Sequence, residues 1–134
     1  MKIIPRIKII GIGGAGGNAL SRLNLVRPKE IQTVAINTDV QDLKKTLADV
    51  KLLIGQNLTQ GLGTGMNPDV GRRSAEEQRT QIEHILRGSD LVFLTAGLGG
   101  GTGSGATPVV AEISRSLGIL TVAVVTQPFS FEGA

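Results

Sequence analysis

The residues in this sequence best suited to chemistry are glycines and hydroxyls rather than thiols or histidines. Gly99-Gly100-Gly101-Thr102-Gly103-Ser104-Gly105 places five glycines, one Thr and one Ser in seven positions. A tight turn needs one or two glycines. Seven small residues in a row can turn many backbone N–H donors and both hydroxyls toward a polyanion. No Lys follows them, so the segment is not the lysine-ending P-loop. An earlier segment, Gly11-Ile12-Gly13-Gly14-Ala15-Gly16-Gly17-Asn18, matches G-x-G-x-x-G at Gly11, Gly13 and Gly16. Between a strand and a helix, such a run lets the backbone approach a phosphate while the helix's free N–H groups attract its charge. In the third, Gly61 to Pro68, Gly63-Thr64-Gly65 can reach a terminal phosphate or remain a solvent loop. Asp39 follows Gly16 by 23 residues, near the spacing at which an acid binds ribose hydroxyls in dinucleotide folds. Asn37-Thr38-Asp39 can also cap the next helix.

Other chemistries are poorly supplied. The 134 residues contain no Cys and one His, which excludes a disulfide scaffold, a thiolate zinc site and a cysteine nucleophile. His84, beside Glu83 in an amphipathic stretch, reads as a surface or packing residue. Arg72-Arg73 reads as a solvated helix face, and Thr95 and Thr126 as strand ends. Nothing resembles paired acid/base carboxylates or a metal cluster, so no catalytic residue and no metal ligand is assigned. Net charge is +3, yet three Phe with no Tyr or Trp leave little stacking platform for nucleic acid. No apolar run nears the roughly 18 residues of a membrane span. Met1 to Pro5 is no signal peptide. A cytoplasmic protein is expected, with no nucleic-acid partner and no direct membrane insertion.

The elements that must position the glycine segments alternate. Ile7–Ile12 reads as a buried strand, and Asn18 to Val26 as a helix ended by Arg27-Pro28. Residues 31–36 form a second strand, 40–47 a short helix, and 51–54 a third strand. Ser74 to Leu86 reads as one helix, stopped by Arg87-Gly88. Leu91–Thr95 is an apolar fourth strand of the kind covered on both faces. A helix follows the second glycine segment, with Pro108 near its first turn, and 119–126 is a fifth strand. The chain is therefore expected to be α/β: a Rossmann-like, three-layer parallel sheet of order 3-2-1-4-5, with helices on both faces. That order brings all three glycine segments to the carboxyl edge, around the switch point between strands one and four. The apolar last strand with only a short tail after it suggests the front portion of a longer protein.

The glycine segments, Asn37-Thr38-Asp39, Asn67-Pro68, and Pro128-Phe129 with Phe131-Glu132-Gly133 together resemble the tubulin/FtsZ family of GTPases, on its bacterial cell-division side. The likeness covers residues 7–134, with every motif in order. It implies a domain that binds GTP and GDP, with Mg2+ accompanying GTP. It further implies head-to-tail protofilaments, GTP hydrolysis between adjacent subunits, and assembly of the cytokinetic ring at the division site. The implied nucleotide contacts are Gly13, Gly14, Ala15, Gly16, Gly17 and Asn18 in the first segment, and Asn37 after the second strand. Gly65 in the third segment approaches the terminal phosphate. Gly100, Gly101, Thr102, Gly103, Ser104 and Gly105 wrap the phosphates, and Glu132 bonds the ribose. Residues 1–134 then form a partial GTP-binding domain. By the same likeness it lacks the guanine-reading residues, the central helix, and the C-terminal domain that activates water and meets division-ring partners. Such a fragment is expected to bind phosphates without turning over GTP alone. The alternative is an NAD(P)-binding Rossmann domain of an oxidoreductase, supported by Gly11, Gly13, Gly16 and Asp39. It leaves the second glycine segment without a purpose.

Overall fold

The computed structural model describes residues 4–126. Five strands, β1 (Ile7–Ile12), β2 (Ile31–Asn37), β3 (Val50–Leu53), β4 (Leu91–Gly97) and β5 (Leu120–Thr126), form one sheet in the order β3-β2-β1-β4-β5. Every pairing is parallel. The helices are α1 (Gly13–Asn24), α2 (Val40–Lys45), α3 (Gln56–Thr59), α4 (Pro68–Glu77), α5 (Arg79–Leu86) and α6 (Gly101–Ser116). The order expected from the sequence is the order found.

The two faces of the sheet are unequal. Ile10, Ile12, Val34, Ile36, Val92, Leu94 and Ala96 bury against Val109, Val110 and Ile113 of α6, Ala75 of α4, and Ile82 and Leu86 of α5. The opposite face holds a smaller cluster, with Leu20 of α1 and Leu43 of α2 on Ala35. β4 was expected to be covered on both faces, but its burial alternates: Val92, Leu94 and Ala96 are buried, while Leu91, Phe93 and Thr95 are half-buried. β5 is an edge strand with most of its residues exposed.

Helix starts differ from the sequence reading in one direction. α1 begins at Gly13 rather than Asn18, and the second glycine segment is itself the opening of α6 rather than a loop before it. Pro108 is therefore the eighth residue of α6, not a first-turn residue, and costs that helix a backbone hydrogen bond. Propensity disfavours glycine in helices by about 1 kcal/mol each. Packing overrides it here, as the site shows. α4 likewise starts at Pro68, so Arg72 and Arg73 lie within it, and Gln78 separates it from α5. At that junction Arg79 meets Glu76, Glu83 and, at 2.6 Å, Glu112 of α6. His84 is exposed on α5. Among the described residues no helix is long and apolar enough to cross a membrane.

Candidate nucleotide-binding site

At the carboxyl edge of β1, β2 and β4 lies a cleft of about 480 Å³. Its wall is built from Gly13, Gly14 and Ala15 of α1, Asn37, Thr38 and Asp39 after β2, and Asp42 of α2. Leu62 to Met66 and Gly97 with Gly99 to Gly103 complete it. Gly13 carries a φ of 77°, a left-handed conformation that lets β1 pass directly into α1.

Four of the six helices begin around this cleft, and they begin in two ways. α2 is capped by Asp39, whose carboxylate accepts from the N–H groups of Gln41 (2.9 Å) and Asp42 (3.1 Å). α4 is capped by Asn67, whose side-chain oxygen accepts from Asp69 (2.9 Å) and Val70 (3.4 Å). α1 and α6 have Ile12 and Gly100 at the N-cap, and neither makes a side-chain cap hydrogen bond. Their first N–H groups lack intrahelical partners, and each helix presents its positive pole. The residues opening both helices line the cleft. Two uncapped poles at one cavity leave backbone N–H donors free for an anion.

Hydroxyls supply the remaining donors. Thr102 lines the cleft, and its Oγ1 lies 2.8 Å from Thr38 Oγ1 in a buried contact. Thr64 lines the cleft from the third glycine segment. No Lys or Arg does so among the described residues, whereas Asp39 and Asp42 do. Lys8 stands near the far end of β1, away from the cleft. Burial first, then the neighbouring Arg6, push its ammonium below the ordinary lysine value.

The structure gathers Gly13, Gly14, Ala15, Asn37, Gly65, Gly100, Gly101, Thr102 and Gly103 onto one wall, as the sequence reading requires. It places Gly16, Gly17, Asn18, Ser104 and Gly105 elsewhere. A Cβ at Gly16 would overlap the Thr95 carbonyl oxygen, so this glycine lets α1 lie against β4. A Cβ at Gly105 would overlap the Pro68 carbonyl oxygen, and one at Gly101 would overlap Thr64 Oγ1. These glycines let α6 approach α4 and the third segment at backbone distance. Ser104 donates to the Leu98 carbonyl at 2.6 Å. Glu132 lies outside the described residues. Asp39 serves as helix cap and cleft wall at once. Sequence reasoning passed over Asp42, Gly97 and the exposed Leu62 and Met66; of these, only Asp42 had a signal, its place three residues after a cap.

A cavity between two uncapped helix poles fits several phosphate ligands, and comparison with known proteins narrows the choice. The model of the tubulin/FtsZ family GTPase domain matches residues 6–134. The chain belongs to that family. It is 55% identical over 127 residues to the cell division protein FtsZ of Buchnera aphidicola subsp. Schizaphis graminum, covering 95% of this chain and 33% of that protein. An FtsZ dimer from M. jannaschii, solved empty, matches with a TM-score of 0.93 and 53% identity, over 98% of this chain and 38% of that one. A more distant tubulin/FtsZ-family relative, CetZ2 of Haloferax volcanii in a GTPγS-bound protofilament, matches with a TM-score of 0.81 and 30% identity, over 90% and 39% of the two chains. The chain spans about a third of the length of the curated FtsZ it matches. Membership in a GTPase family favours GTP and GDP over the dinucleotide alternative.

Proposed function

We propose that this chain is the phosphate-binding part of an FtsZ-type GTPase, holding GTP or GDP in the cleft between α1 and α6. The observation that carries the reading is the pair of helix N-termini with no side-chain cap, opening on one cavity beside Thr38, Thr64 and Thr102. Phosphate oxygens would accept from the N–H groups that start α1 and α6 and from the Thr102 hydroxyl. Gly14 and Gly100, where a Cβ would meet nothing nearer than 3.6 Å or nothing at all, leave the cleft room for them. Gly65, in the left-handed region at φ 63°, bends the third segment along the wall where a terminal phosphate would sit.

Charge balance favours Mg2+ as companion of the triphosphate. A wall with two carboxylates and no cationic side chain repels a polyanion beyond what two helix poles offset. Asp39 and Asp42 are hard oxygen donors suited to magnesium, and no group of three potential ligands occurs among the described residues. That donor set suits an ion that keeps waters and takes other ligands from phosphate. Bound there, the ion would supply charge compensation.

In the whole protein, GTP would be hydrolysed between subunits joined head to tail, in filaments that build the division ring in the cytoplasm. The rim supports such a contact: Leu62 and Met66, at 81% and 74% exposure, flank the cleft where a neighbouring subunit would close over it. Residues 1–134 would form a partial GTP-binding domain, inactive in turnover by itself, because the family resemblance puts water activation in a C-terminal domain. Gly105, Gly16 and Gly17 would then act by packing and Ser104 through its bond to Leu98, while the family resemblance alone assigns Asn18 and Glu132 to the nucleotide.

Titration calorimetry of the full chain with GTP plus magnesium, and with NAD in parallel, tests the reading. Saturable GTP heat without NAD heat is expected, and chelating the magnesium should weaken GTP about tenfold, through like-charge repulsion at the two aspartates. Saturable NAD binding without GTP binding would reject the nucleotide assignment.

A further inference from the structure

On the cleft wall, two hydroxyls are paired in a way that the anion site itself does not explain. Thr38 is fully buried, and the recorded partner of its Oγ1 is the Thr102 Oγ1 at 2.8 Å. The rest of Thr38 is fixed from both sides. Its N–H donates to Asn37 Oδ1 at 2.8 Å, and its carbonyl accepts from Thr59 Oγ1 at 3.3 Å. Thr59, at the end of α3, is held in turn by accepting from the Gly61 N–H at 3.2 Å. The backbone of Thr38 is thus held by the ends of β2 and α3, while its hydroxyl meets a residue at the start of α6.

Geometry alone leaves the donor in the Thr38–Thr102 pair open. Burial decides it. Each hydroxyl has one proton to donate. If Thr102 donated to Thr38, the Thr38 proton would be left on a residue with no exposure and no second side-chain partner among the described residues, whereas Thr102 keeps 7% exposure. Buried donors without partners are costly. If Thr38 donates to Thr102, its proton is used, and the Thr102 proton is released toward the cleft that Thr102 lines. We infer that Thr38 is a positioning residue: it donates to Thr102 and so turns the Thr102 hydroxyl outward as a donor to an anionic ligand oxygen. Hydrogen bonds in series strengthen one another, so the outward donor gains from the one behind it. The inference rests on the phosphate-binding reading of the cleft.

The experiment is a double-mutant cycle on the full chain, with GTP plus magnesium as ligand. Thr38→Val keeps shape and removes the donor, and should weaken GTP binding about tenfold, the scale of one charge-assisted hydrogen bond. Thr38→Ser restores the hydroxyl and should recover GTP affinity to within about twofold. In a Thr102→Val background, Thr38→Val should cost nothing further, because the group it orients is gone. Should Thr38→Val not fold, Thr38→Ala removes the same donor without adding bulk. Equal GTP affinity of the parent and a folded hydroxyl-free variant would overturn the inference while leaving the nucleotide reading in place. So would an undiminished loss in the Thr102→Val background. A parent chain that binds no phosphorylated nucleotide would overturn both.

Discussion

Helices α2 and α4 start beside the same cleft as α1 and α6, yet their first turns are closed by their own sequence. Asp39 and Asn67 each accept from two backbone N–H groups, and in doing so satisfy donors that a ligand would otherwise use. α1 and α6 have Ile12 and Gly100 in the corresponding place, with no side chain turned back on the helix. Side-chain caps are worth about 1 kcal/mol, so omitting two of them at one cavity forgoes stability unless something else bonds there. Capped helices stand as walls. Uncapped ones remain available. α3 and α5 lack side-chain caps as well, but their first residues do not line the cleft, so the contrast holds among the helices that start around it.

The sharpest way to break this contrast is to disturb the contact that sets the open helix against a capped one. A Cβ at Gly105 would overlap the Pro68 carbonyl and lie 2.6 Å from the Arg72 backbone nitrogen, both in the first turns of α4. Backbone cannot yield as a side chain can. Gly105→Ala is expected to cost about 3 kcal/mol by overpacking, seen as an earlier urea midpoint, even though Ala is the better helix former. Gly100→Ala, where a Cβ meets nothing within 4 Å, should cost under about 1 kcal/mol in the same assay. Equal midpoints for the two variants would reject the packing account of the α6 glycines.

A second substitution converts an open helix into a capped one. Gly100 has extended backbone (φ −110°, ψ 166°), the conformation of an N-cap residue, and open space around it. In Gly100→Asp the new carboxylate would accept from the first N–H groups of α6 and place negative charge at its positive pole. Stability should rise by about 0.5 kcal/mol. GTP affinity should fall about 100-fold, as donors are taken and a like charge is added. Opposite signs in unfolding and calorimetry are the signature sought. A variant that gains stability and binds GTP as tightly as the parent would show that the α6 pole faces no phosphate.

The sheet was legible because each strand is a short apolar run bounded by turn residues, and parallel order follows from alternation with helices. Gly13, Gly101 and Gly103, expected to face a ligand, line the cleft, while Gly16, expected with them, packs against β4 instead. Glycine runs read as loops under any propensity argument, whereas here they are helical because α4 and β4 press on them at backbone distance. That pressure comes from residues far away in sequence, such as Pro68 for Gly105 and Thr95 for Gly16. The break at Gln78 had neither Pro nor Gly to announce it. Thr38 read as part of a cap, because its partners Thr59 and Thr102 lie 21 and 64 positions further along.

The smallest effect tests the capped side of the contrast. Asn67 accepts from Asp69 and Val70, precedes Pro68 at the first helical position, and is not among the residues lining the cleft. Asn67→Ala should therefore cost about 1 kcal/mol of stability, while GTP affinity changes less than about twofold. Asp69 in the first turn would still offset part of the exposed pole, which keeps the loss near the low end. The informative quantity is the ratio between the two readouts. If removing the cap weakened GTP binding as much as it destabilised the fold, α4 would be coupled to the cleft through Gly101, whose Cβ position lies 2.6 Å from the Asn67 nitrogen. The division into walls and open poles would then give way to a single unit in which α4 sets where α6 begins.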